Sequence, residues 1–333
     1  MNPAPLALTL GDPAGVGPEI ITKAWAELHQ GGPAFLVVGD LATLRATAPH
    51  LPLHSIGAAS EAEAVFPTAL PVLDMALHHL VRPGTSDQAA APAIIGWIKH
   101  AVGLALAGEV AALVTAPIAK ASLYGAGFDF PGHTEFLGAL TEHVEQPGMR
   151  GPLMMLAVPG LRTTLVTIHE PLARVSQLLS VEAIVRAGVL TAEALTRDFG
   201  IQTPRLVVAA LNPHAGEAGN LGTEEQVLIS PAVETLKGLG INATGPHPAD
   251  SLFPPDRRQD YDAAICMYHD QALIPVKMLD FWGGVNVTLG LPVVRTSPDH
   301  GTGFDIAGKG IARPDSLIAA LNMARQIADR RAA

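Results

Sequence analysis

LALTLGDPAGVGPE, residues 6–19, is an uninterrupted apolar run that passes directly into a glycine-rich turn and then a proline suited to a first helical turn. A strand buried on both faces reads as a continuous apolar run, whereas a half-exposed one alternates. The same kind of run recurs at AFLVV (34–38), AALVT (111–115), TLVTI (164–168), LVVAAL (206–211) and AAICMY (263–268). Helical patterns lie between them. Ser180 is placed to cap a helix over 181–199 that stops at Gly200, and Ser230 with Pro231 opens another that ends near Gly240. A last helix begins near Asp315, with Leu317, Leu321, Ala324 and Ala328 on one face. Strands alternating with helices predict an α/β protein with a mostly parallel sheet.

The 333 residues, 48% hydrophobic and 16% charged, suffice for a large core and favour two domains over one. A net charge of -10 leaves no basic stripe for a phosphate backbone, which argues against nucleic-acid binding. No stretch free of Asp, Glu, Lys and Arg is longer than residues 46–60, short of the roughly 18 apolar residues of a membrane helix, so no membrane span is expected. Residues 1–10 lack a basic leader and read as a first strand, which predicts a cytoplasmic protein. Cys266 is the single cysteine; it excludes internal disulfides and cysteine-based zinc clusters, and its apolar setting reads as packing. The chain shows no internal repeat or long linker.

Three of the predicted strands end alike: TLVTI runs into His169, LVVAAL into Asn212, Pro213 and His214, and AAICMY into His269, Asp270 and Gln271. Ligands of open α/β sheets bind at the carboxyl edge, so parallel strands would bring these imidazoles to one edge despite their separation in sequence. Three neutral imidazoles suit zinc and similar divalent ions and leave positions open for substrate. Any one histidine alone reads better as a hydrogen-bond partner of loop backbone, but three in matching positions weaken that reading.

Gly11, Asp12, Gly15 and Gly17 lie in the first glycine turn, which departs from the GxGxxG pattern; Asp40 is only a loose match for a ribose-binding acid. A second glycine cluster, DHGTGFDIAGKG (299–310), surrounds His300, Gly301, Thr302 and Asp305 with exposed backbone amides. Either loop reads as a plain turn or as a nucleotide contact, and together they suggest that both chain ends build one nucleotide-binding domain. PGHTEF (131–136) sets His133 and Thr134 after a Pro-Gly turn, to grip an anion or, for Thr134, to cap a helix. Lys277, Asn286 and Arg295 recur every nine residues around a segment poor in charge, a composition suited to a phosphate or carboxylate pocket. Asp250, in GPHPADSLF, is a candidate proton acceptor, with His247 nearby.

In order along the whole chain, GDPAGVGPE, TAPIAK, PGHTE, TIHEPL, LNPHAGE, GPHPADSLF, YHDQALIPVK, NVTLGLPVVRTS and DHGTGFDIAGKG resemble the 4-hydroxythreonine-4-phosphate dehydrogenase family of vitamin B6 biosynthesis. The resemblance implies a two-domain α/β/α fold similar to isopropylmalate and isocitrate dehydrogenases, with an active site in the interdomain cleft shared across a homodimer. Residues 1–130 with 300–333 would form the nucleotide-binding domain, and 131–299 the metal, substrate and dimerisation domain.

It further implies one divalent metal (zinc, magnesium or cobalt) held by His169, His214 and His269, with His269 contributed by the partner subunit. Substrate would be bound by His133, Thr134, Lys277, Asn286 and Arg295, and NAD or NADP by a site unlike a Rossmann fold. The implied reaction oxidises C3 of 4-phosphohydroxy-L-threonine and then loses carbon dioxide to give 3-amino-2-oxopropyl phosphate, with Asp250 and Lys277 as candidate catalytic groups. Dehydrogenation of a phosphorylated sugar acid is the nearest alternative, and a metal-dependent aldolase or hydrolase a more distant one.

Overall fold

The computed structural model describes residues 4–123, 128, 130 and 132–333, so residues 1–3 and Pro131 of the PGHTEF block lie outside the described residues. The chain divides into two compact units, Met1–Glu145 with Leu291–Ala333 and Gln146–Gly290.

In the first unit the strands are β1 (Leu6–Thr9), β2 (Phe35–Gly39), β3 (Leu53–Ser55), β4 (Leu70–Asp74) and β5 (Ala112–Thr115), joined by a late strand, Arg295–Pro298. Their spatial order is β3-β4-β2-β1-β5 followed by Arg295–Pro298, and every pairing is parallel. All four residues of β1 and all five of β2 are buried, as their unbroken apolar runs predict. Helix Asp315–Ala332 closes the unit and buries Leu317, Leu321, Ala324 and Ala328, the face expected from the spacing. Residues 88–106 are long and apolar enough to cross a bilayer, which the search for uncharged stretches missed because Lys99 interrupts them. Within this unit the helix Ala91–Leu106 buries Ile94, Trp97, Ile98, Ala101 and Val102, so its apolar face is core packing.

The second unit contains β6 (Leu153–Val158), β7 (Leu161–Leu165), β8 (Arg205–Ala209), β9 (Asn242–His247), β10 (Ala263–Cys266) and β11 (Val285–Leu289); Arg295–Pro298 is therefore β12. The order is β11-β6-β7-β10-β8-β9. The β11/β6 and β6/β7 pairs are antiparallel, while β7, β10, β8 and β9 run parallel. Ser180 caps helix Val181–Arg197 by accepting from the Ala183 N–H at 3.1 Å, and Gly200 takes the left-handed conformation (φ 73°) that ends it.

The division departs from the boundaries expected at 130/131 and 299/300. β12 pairs with β5, and helix His133–Leu140 belongs to the same unit, so His133, Thr134 and Arg295 fall in the first unit and not with the histidine-bearing strands. TLVTI also shifts: β7 begins at Leu161 and stops at Leu165, because a hairpin turn at Gly160 (φ 81°) pairs it with β6.

Candidate active site

The strands that precede the three histidines are neighbours, in the order β7-β10-β8, and all point the same way. Adjacent strands lie about 4.8 Å apart, so loops leaving their carboxyl ends are side by side. His169 and His269 reach ring contact, with centroids 5.7 Å apart. An imidazole nitrogen about 2.1 Å from zinc places its ring centroid about 3.2 Å from the ion, so two imidazoles on a tetrahedral centre have centroids about 5 Å apart. The 5.7 Å between the two rings of one chain shows that the ends of β7 and β10 are adjacent; it is not the spacing of a ligand pair in which His269 comes from the partner subunit. His269 Nδ1 lies 2.7 Å from Asp270 Oδ1. A carboxylate on one ring nitrogen leaves Nε2 to face an ion, the usual outer partner of a metal-bound histidine.

Among the described residues, no three His, Cys, Asp or Glu side chains of the single chain converge as a metal site. His214 is therefore not gathered with the other two. It heads an unusual segment: His214 (φ 50°), Ala215 (52°), Gly216 (77°), Glu217 (43°) and Ala218 (56°) form a left-handed helical turn. For residues with a Cβ that conformation costs about 1–2 kcal/mol each. Surrounding contacts must hold it.

The two residues that lead into this segment are held by Glu225, which is 3% exposed. Its Oε1 accepts from the N–H groups of Leu211 (2.8 Å) and Asn212 (2.7 Å), and its Oε2 accepts from Asn212 Nδ2 at 3.0 Å. Asn212 Nδ2 also donates to Glu224 Oε2 at 2.7 Å. A Cβ on Gly216 would stand 2.6 Å from Glu225 Oε2, so glycine is needed there for space as well as for φ. Gln271 braces the same edge, accepting from the Met267 N–H at 2.7 Å and donating to the Ala210 carbonyl at 2.7 Å. It thereby ties the end of β10 to the end of β8. Glu225 lies in none of the motif blocks, and Gln271, though it follows His269 and Asp270 in one of them, had no role there; the backbone groups they satisfy mark both.

Asp250 sits in a short exposed turn just past β9, the strand beside β8, and so at the same carboxyl edge. His247 Nε2 pairs with Thr244 Oγ1 at 2.9 Å, and burial followed by Arg257 holds its pKa below the usual histidine range. Lys277 stands in the last turn of helix His269–Leu279, its Nζ 5.2 Å from the Phe281 ring centroid. Asn286 lies on β11, and its buried Oδ1 has no hydrogen-bond partner. The nine-residue interval thus has no structural period behind it: Lys277, Asn286 and Arg295 belong to a helix and two different strands. Cys266 is fully buried and its thiol is pushed up, in keeping with inert packing.

In the first unit, Arg295 is 2% exposed and donates from Nη2 to Thr115 Oγ1 at 2.6 Å. Burial lowers its pKa to about 10, with Glu135 acting in the opposite sense. His133 opens helix His133–Leu140, with Nε2 buried and lacking a hydrogen-bond partner. Burial, then Arg295, drives its pKa well below the usual value, which keeps the imidazole neutral. Gly132 occupies the cap position, so the alternative of Thr134 as helix cap fails; Thr134 lies inside the first turn, 8% exposed. A buried guanidinium beside a neutral imidazole and a hydroxyl is a donor set for an anion.

The two glycine loops meet in this unit. Val16 N–H donates to the Thr302 carbonyl at 2.8 Å, and a Cβ on Gly15 would stand 2.8 Å from that oxygen. A cavity of about 790 Å³ lies alongside, lined by Gly15, Thr43, His78, Gly308 and Lys309 among others. This is an ordinary size for a small-molecule site. Of the expected cofactor residues, Gly15 alone lines it, while His300, Gly301, Thr302 and Asp305 belong to the loop whose later residues do.

Gly11, Asp12 and Gly17 instead serve the turn. Asp12 is 0% exposed, accepts from Ala14 N–H and Ser122 Oγ, and has its pKa raised by burial. Cβ atoms on Gly11 and Gly17 would meet the carbonyl oxygens of Pro117 and Leu10 at 2.6 and 2.5 Å. Asp40 does line the cavity, but its carboxylate is engaged in capping helix Leu41–Thr47 through Thr43 and in accepting from Leu77 N–H.

Paired glycine loops beside a cavity, buried cationic anion-binding groups and histidines aligned on one strand edge define an α/β enzyme of the dehydrogenase class. A family-wide sequence model described as pyridoxal phosphate biosynthetic protein PdxA matches residues 33–324, and the chain belongs to that family. A 4-hydroxythreonine-4-phosphate dehydrogenase of Caulobacter vibrioides is 61% identical over 331 residues, covering 99% of each chain. A crystal structure of 4-hydroxythreonine-4-phosphate dehydrogenase from Klebsiella pneumoniae superposes with a TM-score of 0.86 at 38% identity, covering 98% of this chain and 99% of that one. A terephthalate 1,2-cis-dihydrodiol dehydrogenase from Burkholderia xenovorans is more distant, with a TM-score of 0.64 at 29% identity over 98% of each chain.

Proposed function

We propose that the protein oxidises 4-phosphohydroxy-L-threonine at C3 with NAD or NADP and releases carbon dioxide to give 3-amino-2-oxopropyl phosphate. The observation that carries this reading is the alignment of His169, His269 and His214 at the ends of three adjacent parallel strands. Those histidines would hold one divalent ion, which when bound lowers the pKa of the substrate hydroxyl and withdraws electrons from the resulting ketone.

Arg295 and Lys277 neutralise the substrate's anionic groups, and His133, Thr134 and Asn286 add hydrogen bonds. His133 is neutral, so it accepts or donates one hydrogen bond without adding charge. For the first step, a bound nicotinamide would supply the hydride acceptor for C3; Asp250 is the candidate base to take the hydroxyl proton. In the second, the bond from C2 to the carboxylate breaks and its electron pair stays on the substrate until a proton replaces carbon dioxide. The cavity beside the glycine loops, with Gly15 and the 300–305 segment at hand, is the proposed place for the dinucleotide.

The protein acts as a homodimer in this proposal. The helix that starts at His269 also carries Ile274 (61% exposed), Met278 (80%) and Leu279, and Phe281 and Trp282 follow it. A second copy that covers these side chains lies beside His269, which makes an exchange of that histidine between subunits geometrically natural.

The test is NADH or NADPH formation with a panel of phosphorylated hydroxy acids, with and without chelator. Turnover of the amino substrate, abolished by chelator, is expected. Reduction with a sugar acid alone would move the assignment to that substrate, and no reduction with any would overturn the dehydrogenase reading.

A further inference from the structure

We infer that Glu225 is a positioning residue for the metal centre: by clamping Leu211 and Asn212, which lead into the left-handed turn that begins at His214, it sets the direction in which that imidazole is presented. The inference rests on His214 being a metal ligand, as proposed above.

Glu225 lies 14 residues from Leu211 in sequence but directly beneath its loop. Both carboxylate oxygens are taken up by donors from the two residues that lead into Pro213 and His214. Glu225 itself begins a widened helical turn, Glu225–Ile229, that continues into helix Ser230–Gly238, so the clamp is anchored on a rigid element. The turn it closes is internally tied by Leu221 N–H to the Gly216 carbonyl at 3.0 Å and by Asn220 N–H to the Glu217 carbonyl at 3.2 Å. Gly222 (φ 129°) is pressed against Asn212, where a Cβ would overlap the side-chain amide.

Four of the five left-handed residues carry a Cβ and prefer the right-handed region. Without the carboxylate, the segment gains by relaxing, and His214 then points elsewhere. A buried acid whose two carboxylate oxygens are taken up by donors on the loop into His214 is accounted for by this constraint.

The experiment is Co²⁺ titration of the metal-stripped full-length protein, followed by calorimetry and visible absorption, for wild type, H214A, E225Q and E225Q/A215G/A218G. Glu225→Gln keeps the shape and an acceptor for the Leu211 and Asn212 N–H groups, but removes the charge and sets an amide N–H against Asn212 Nδ2. It should weaken Co²⁺ binding roughly ten- to a hundredfold, the range typical of outer partners of a metal site, with far-UV circular dichroism and NADH binding unchanged.

Glycine at 215 and 218 accepts left-handed φ without strain, so the triple variant should regain roughly two- to fivefold of that loss. Wild-type affinity in E225Q, or no recovery in the triple variant, would overturn the inference. H214A with wild-type affinity would instead defeat the metal reading itself. Should E225Q not fold, Asn212→Ala carries the test: it deletes one donor to Glu225, and unchanged Co²⁺ affinity in it counts against the clamp.

Discussion

Arg295 and His133 owe their chemistry to depth. A guanidinium at 2% exposure that hydrogen-bonds Thr115, and an imidazole whose Nε2 is buried, give up hydration, as the proposed anion-binding role requires. For His133 this has a measurable consequence. Its folded pKa lies well below the 6.5 of an ordinary histidine, so the unfolded chain takes up the proton first as pH falls. Stability from this group is present above about 6.5 and is lost progressively below it until the folded pKa is reached. Urea midpoints measured from pH 7 down to about 5 should therefore fall less steeply in H133Q than in wild type. Equal slopes would show that the imidazole is not held neutral by the fold. His133 was recognisable beforehand from its Pro-Gly setting, but Thr115 was not, because the bond between it and Arg295 spans 180 residues.

At the scale of elements, the candidate site is a row of strand ends. The histidines were legible because each follows an apolar run that could only be a buried strand. The bracing that makes the row a surface was not, since it joins different strands: Gln271 links the end of β10 to a carbonyl 61 residues away at the end of β8. Gln271→Ala would leave a buried N–H at Met267 and a buried carbonyl at Ala210 unsatisfied. A loss of roughly 1–3 kcal/mol in stability for each such group is expected, with metal affinity reduced as well. Chemical denaturation and Co²⁺ titration of the same sample read both, and a variant as stable as wild type would remove Gln271 from this role. The hairpin β6/β7 shows the opposite: PGLRT at 159–163 hides a two-residue turn, so only Thr164 and Leu165 of TLVTI belong to the strand, and its last three residues lie beyond it.

For the whole molecule, the proposed dimer would tie assembly to activity through the exposed apolar side chains on and after helix His269–Leu279. Light scattering should give a dimer for the wild type. Ile274→Asp combined with Met278→Asp places two charges on the proposed interface and should give a folded monomer with weakened metal binding and little turnover. A monomeric variant with full activity would sink the shared site, while a variant that stays dimeric would move the interface elsewhere. Family membership, covering residues 33–324, fits a two-unit enzyme but does not by itself assign these surfaces.

The sequence by itself determined the α/β class, the strands at the heart of each unit and the residue types gathered at their carboxyl ends, because apolar runs and glycine turns act locally and their signal is carried by neighbours in the chain. It also determined the family, through ordered blocks along the whole chain. Only the tertiary structure decided which unit owns Arg295, that His169 and His269 are ring neighbours while His214 rides a left-handed turn, and that Gly11, Asp12 and Gly17 shape a turn and do not line the cavity. These depend on strand order and on hydrogen bonds between residues far apart in sequence, which no local pattern encodes.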